Sequence, residues 1–261
     1  MGGAENIAKA PFLQSSVMIN VDSEESGSIC VGCAGGFERK LFLNLHRSPV
    51  GADEEGKVAI ELHLHSLLGG HTGIDIHKGR ANALILLARL LNAALTAKVD
   101  LQLLSIHGGN APNAIPRDAT WSVLLPVSQR ATFEQVTAAT FDRFLSEFKD
   151  IERKLAPGSE EGPHAKWVQP MRLQQKDVPV SGAFATSVEE ARKIVALLLL
   201  VPHGPLKINV DLDHAVDTSI SFSLLALPAT PAADGKDKLI VHVFSRSAFE
   251  ADMKVSMRFR V

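Results

Sequence analysis

A histidine flanked by glycines is the first feature of this sequence with the setting for chemistry. In Leu68-Gly-Gly-His71-Thr-Gly-Ile-Asp75-Ile-His77-Lys-Gly-Arg-Ala-Asn82, glycines on both sides let the backbone turn sharply and leave the His71 imidazole uncovered. It can then donate a hydrogen bond to a substrate oxygen. A plain strand-to-helix turn needs glycine as well, and the residues alone leave both readings open. Asp75 and His77, beside the same turn, are placed to orient it rather than to react. His63 and His65 would share one strand face and could chelate a metal, but in an alternating segment they read as ordinary strand positions. Cys30 and Cys33 are the only cysteines. In a strand, residues three apart face opposite sides, so plain buried thiols are expected rather than a redox or zinc pair. Asp22 ends a short apolar run, where a carboxylate ordinarily satisfies turn amides.

The elements that must position these residues are read from hydrophobic period. Residues 16–22 and 29–33 read as short buried strands. Residues 37–46 alternate, with Leu41, Leu43 and Leu45 on one face. Val58, Ile60, Leu62 and Leu64 resume the alternation beyond a polar turn at 51–56, which predicts a hairpin. From about Ile74 to Ala97 the period is helical, with Ala83, Leu84, Leu87, Leu90, Leu91 and Ala94 in one stripe. Residues 101–106 and 119–125 are strand-like. Thr132 with Gln135 has the pattern of a capping box opening a second helix, whose apolar face is Phe133, Val136, Phe141, Phe144, Phe148 and Ile151. Residues 156–163 read as a linker. Ser187 and Glu190 cap a third helix to about Leu200, stopped by Gly204 and Pro205, and strands near 219–225 and 239–244 come next. Strands in antiparallel pairs with single helices between them predict an α+β fold. This is an open antiparallel sheet with helices on one face, arranged as one unit or two that divide near 156–164.

Composition narrows the function. A chain of 261 residues, 46% hydrophobic and 21% charged, falls in the globular range. With 27 Lys and Arg against 29 Asp and Glu, it has no general attraction to phosphate backbones or anionic membranes, so nucleic acid is not expected as a partner. Its longest apolar runs fall far short of the ~20 residues of a membrane span, and no export signal is visible. Two cysteines exclude a disulfide framework and make a reducing cytosol the expected compartment.

Four strings in order resemble one family. Gly69 to Ala83 is similar to the G-G-H-S-G-x-x-I-H-x-G-x-x-N-A segment of the aminoacyl-histidine dipeptidases, members of the zinc aminoacylase and carboxypeptidase superfamily. The others are Asn20-Val-Asp22-Ser-Glu24 followed by 32–36, Gly108-Gly109 followed by Asn113-Ala-Ile-Pro-Arg117, and Ser245-Arg246-Ser247. Thr72 replaces the usual serine, and Pro112 stands where arginine is common.

The resemblance implies roles. Asp22 matches a carboxylate ligand to one of two zinc ions, a role that suits a strand-end carboxylate at a sheet edge. His71 matches the lid histidine that stabilises the oxyanion and, in dimeric relatives, reaches across the subunit interface. Asn113 matches a neutral donor beside the substrate carbonyl or carboxylate, and Arg246 the arginine that grips the substrate's C-terminal carboxylate bidentately. In the family two metals about 3.5–4 Å apart polarise the scissile carbonyl and activate water. The H-x-D motif, bridging aspartate, Glu-Glu pair and C-terminal ligand histidine of that site find no match here.

The resemblance therefore predicts a cytosolic di-zinc dipeptidase of Xaa-His substrates represented by its lid. Residues 1–36 would be a remnant of the metal-binding domain, 37–250 the lid and dimerisation domain, and 251–261 the return toward the catalytic domain. A chain of this kind is expected to bind zinc weakly, to turn over no dipeptide alone, and to form a homodimer through the lid. The alternative is a non-catalytic lid protein that self-associates or pairs with full-length subunits.

Overall fold

In the computed structural model, the described residues are 16–17, 27, 33–51, 56–155, 167–212, 215–231 and 237–252. The chain divides into two units, Met1–Cys33 and Ala34–Val261, and the sheet and helices belong to the second. The segments expected as strands at 16–22 and 29–33 lie almost wholly outside the described residues, as does the expected linker at 156–163.

Eight strands form one sheet: β1 (Gly35–Asn44), β2 (Lys57–His65), β3 (Gln102–Gly108), β4 (Ala119–Pro126), β5 (Arg172–Val178), β6 (Gly204–Ile208), β7 (Val216–Leu227) and β8 (Lys238–Ser247). Their order is β1-β8-β7-β3-β4-β2-β5, and β6 pairs with β7 beyond the end of β3. Every pairing is antiparallel. Three helices, α1 (Ala83–Thr96), α2 (Arg130–Glu147) and α3 (Val188–Leu200), pack on one face. The fold is therefore α+β, as the sequence predicts.

Alternation decides which face is which. Ile60, Leu62 and Leu64 of β2, Trp121, Val123 and Leu125 of β4, and Leu239 and Val241 of β8 point toward the helices and are almost fully buried. Nine of the fourteen α1 residues are buried, because α1 lies between α2 and α3 as well as on the sheet. Each fully covered leucine there contributes roughly 2 kcal/mol by apolar burial. The opposite face is polar near its edges and is partly covered where Val50, Val180 and Ala183 pack on Ala59, Leu104 and Leu124.

Three local expectations fail, each for a physical reason. Strands β1 and β2 do not form a hairpin: β1 pairs with β8, while β2 lies between β4 and β5 on the other side of the sheet. Alternation marks a half-buried strand but not its partner. Here Arg47, held by Asp237 and the Leu104 carbonyl, and Ser48–Pro49, paired with Phe184–Ala185, lead the chain away. Helix α1 starts at Ala83 rather than near Ile74. Gly79 in the left-handed region (φ 65°) closes a short 3-10 turn at 76–78, and Asn82 caps the new helix by accepting from Leu84 N at 3.0 Å. Helix α2 begins at Arg130 from a 3-10 turn at 127–129, which leaves Thr132 inside the first turn rather than at the cap. Its buried stripe is Phe133, Thr137, Thr140 and Phe144, with Ile151 39% exposed. The third cap is as expected, with Ser187 Oγ accepting from Glu190 N at 3.1 Å.

Candidate functional site

The loop from 66 to 82 leaves β2 and returns into α1. Its tip is held by a two-residue ladder in which Gly70–His71 pairs with Ala114–Ile115, extended by Thr72 N donating to the Asn113 carbonyl at 2.9 Å. Inside the turn, Asp75 Oδ2 accepts from His71 N at 2.8 Å, and Asp75 Oδ1 takes Lys78 Nζ at 2.7 Å with Arg80 Nη2 at 3.4 Å. Burial opposes ionisation of Asp75, but Lys78, the His71 amide and Arg80 together hold its pKa below the usual carboxylate value. Gly70 makes this arrangement possible. Its φ is 146°, and a Cβ there would sit 2.7 Å from Asp75 Oδ2.

The ring of His71 is oriented by its own turn. Gly73 N and Ile74 N each lie 3.3 Å from Nδ1 and donate to it. With Nδ1 acting as acceptor, the neutral ring carries its hydrogen on Nε2. That nitrogen lies 3.2 Å from Arg246 Nη2. Two donors therefore face one another there, a contact rather than a hydrogen bond, and an oxygen placed between them would receive both.

Arg246 comes from β8, paired with Gly36 of β1 and Ser219 of β7. Its guanidinium lies over the Phe244 ring, 4.8 Å from the centroid, and its Nε reaches Thr72 Oγ1 at 3.4 Å. Burial lowers its pKa from the usual arginine value. Among the described residues no carboxylate lies within ion-pair distance of it. Gly73 permits the close approach of loop and strand, since a Cβ there would be 3.2 Å from both Arg246 Nε and His71 Cε1.

The structure thus brings together His71 and Arg246, which lie 175 residues apart in sequence. Asn113 is next to them through its carbonyl and has an exposed position. Asp22 lies outside the described residues. Thr72, read in the sequence only as a departure from serine, touches Arg246, and Phe244 supports the guanidinium; only the i,i+2 spacing of Phe244 and Arg246 signals the latter. His63 and His65 stack with ring centroids 4.5 Å apart. Among the described residues no three His, Cys, Asp or Glu side chains converge as metal ligands would. The described residues do not themselves fit a zinc centre. A cavity of about 260 Å³ behind the loop is lined by Arg80, Arg89 and His203. Its arginines are already engaged, Arg80 with Asp75 and Arg89 with Glu147.

Residues 62–152 match the family model of the peptidase dimerisation domain. The whole fold is similar to the crystal structure of aminoacylhistidine dipeptidase from Vibrio alginolyticus, with TM-score 0.74 and 26% identity over 94% of this chain and 44% of that one. It is also 37% identical over 145 residues to the cytosol non-specific dipeptidase of Escherichia coli (strain K12), covering 56% of this chain and 29% of the relative. The chain therefore spans less than half the length of either. No helix among the described residues is long and apolar enough to cross a membrane.

Proposed function

We propose that this chain contributes the substrate-binding roof of a cytosolic metallodipeptidase acting on dipeptides such as those ending in histidine. Arg246 takes the substrate's C-terminal carboxylate, and His71 Nε2–H donates to the neighbouring carbonyl oxygen as it gains negative charge. The Asn113 amide supplies a further neutral donor. The observation that carries this reading is the 3.2 Å approach of His71 Nε2 to Arg246 Nη2 with Nδ1 already committed as acceptor. A dipeptide offers closely spaced acceptors to such a pair, and charge-assisted bonds from a planar guanidinium favour a carboxylate. In calorimetry, wild type should bind an aminoacyl-histidine dipeptide and Arg246→Ala should lose about tenfold or more in affinity. Equal binding by both would overturn the reading. The zinc-ligand role of Asp22, the one family ligand position that the sequence matches, belongs to the same reading. Zinc titration should show weaker uptake by Asp22→Asn, and identical isotherms would remove Asp22 from the site.

A second reading, self-association through this lid, is favoured by the match to a dimerisation domain and by β6. Among the described residues β6 pairs on one side alone, with β7. Leu206, Ile208, Val210 and Leu212 are 50%, 50%, 94% and 63% exposed along and just past it. An apolar row beside an unpaired strand edge suits a second copy of the same chain. Sedimentation should show a dimer that Ile208→Lys weakens; a monomer at high concentration would exclude it.

A further inference from the structure

Glu152 lies just beyond α2, where its amide donates to the Phe148 carbonyl at 2.8 Å. Its side chain belongs to a residue that is 0% exposed. The two carboxylate oxygens accept from opposite ends of one loop: Oε2 from Leu68 N at 2.7 Å and Oε1 from Ala81 N at 2.9 Å. Between those two amides lies the whole turn that carries His71, Asp75 and Arg80. Asp75 braces the body of the loop, and Glu152 closes its neck.

Packing alone does not call for a carboxylate here. Burying one costs several kcal/mol, and an apolar side chain of similar volume would fill the space while leaving the Leu68 and Ala81 amides without an acceptor. Burial accordingly pushes the Glu152 pKa up, against the two amide bonds and the more distant Arg80 charge. What a carboxylate adds is two acceptors on one rigid plane, able to hold two donors that lie 13 residues apart in sequence.

We propose that Glu152 is a positioning residue that fixes the neck of the 68–81 loop. It thereby keeps His71 Nδ1 under the Gly73 and Ile74 amides and Nε2 facing Arg246. The inference rests on the reading of His71 as a substrate contact, but its consequence for the ring can be measured without substrate.

The test compares wild type, Glu152→Gln and Glu152→Asp in the full chain. Glutamine keeps the shape but turns an amide N–H₂ toward one of the two donors. Aspartate keeps the charge but is too short to span both, and serves if the glutamine variant does not fold. In the ¹⁵N spectrum of wild-type His71, one ring nitrogen should resemble an acceptor and the other a protonated nitrogen. In the variants the two signals should converge as the ring samples both tautomers. Amide hydrogen exchange at 69–80 should rise about tenfold while that of α1 and the sheet stays within about twofold. Unchanged ring signals and loop exchange would overturn the proposal, and so would exchange rising equally through α1 and the sheet. A wild-type chain that binds no dipeptide sinks the substrate reading alone, because the ring spectrum still decides the clamp. If wild type does bind, unchanged dipeptide affinity in a variant with a loosened loop also overturns the proposal.

Discussion

Arg47 and Arg246 both lie against the same sheet, and their surroundings differ in kind. Arg47 is enclosed: its Nε and Nη2 meet Asp237 at 2.6 and 2.8 Å, and its Nη1 meets the Leu104 carbonyl. Arg246 has an aromatic face beneath it, a threonine hydroxyl at 3.4 Å and another donor at 3.2 Å. The first guanidinium has its acceptors supplied by the fold and ties β1 to the residues before β8. The second is held in place by the fold and has no carboxylate partner among the described residues. A satisfied buried cation acts as a structural joint, whereas one supported by the fold but without a carboxylate partner among the described residues is the better candidate for a ligand contact.

The comparison can be broken most easily at its structural end. Arg47→Met should cost about 3–5 kcal/mol in urea unfolding, because it strands the Asp237 carboxylate in a dry site. The double variant Arg47→Met with Asp237→Leu should recover most of that loss. A single-variant cost under about 1 kcal/mol would mean that the enclosed pair is not a joint. At the receptor end the balance should invert. Arg246→Ala should leave stability within about 1 kcal/mol of wild type while reducing dipeptide affinity by about 2 kcal/mol. Arg246→Lys should restore only part of the affinity, since the ammonium lacks the planar fork.

Two pH effects sharpen the contrast between burial and pairing. His203, beside Asn82 near the start of β6, has its pKa lowered from 6.5 to about 4 by burial. The folded state therefore prefers the neutral ring. Its contribution is present above pH 6.5 and is lost as pH falls toward 4, because the unfolded chain takes up the proton first. The ring is not fully enclosed, so roughly 2 kcal/mol of acid destabilisation is expected, and it should be absent in His203→Phe. A curve of the same slope in that variant would remove His203 as its source. The smallest effect belongs to Asp75, whose pKa is lowered. Its contribution is present above pH 3.8 and is lost as pH falls through the still lower folded value. Asp75→Asn should flatten that acid limb and raise hydrogen exchange at the His71 amide; an unchanged amide would show that the carboxylate does not brace the turn.

Part of this was legible from the residues. Alternation located β1 and β2, strand-like apolar runs located β4 and β8, and the Ser187 and Glu190 pattern located the start of α3, because each signal lies within a few neighbouring residues. The glycines around His71 marked the turn for the same reason, but not the Gly73, Ile74 and Arg246 nitrogens that close on its half-buried ring. Strand partners were not legible: β1 reads like half a hairpin until Arg47 and Ser48–Pro49 find partners more than fifty residues away. Nor was the start of α1, where Ile74 and Ile76 fall within a helical pattern but Gly79 and the Asn82 cap set the boundary. Glu152 gave no signal, since its function depends on two amides 84 and 71 residues away.

The central claim is that the His71 and Arg246 donors form a receptor for a peptide carboxylate. The most direct measurement is calorimetric binding of an aminoacyl-histidine dipeptide and of the same dipeptide with its C-terminus amidated, to wild type and to Arg246→Ala. The account predicts that wild type binds the acid at least about tenfold more tightly than the amide, and that Arg246→Ala no longer distinguishes them. Equal affinity of wild type for acid and amide, or a preference for the acid that survives Arg246→Ala, would contradict it.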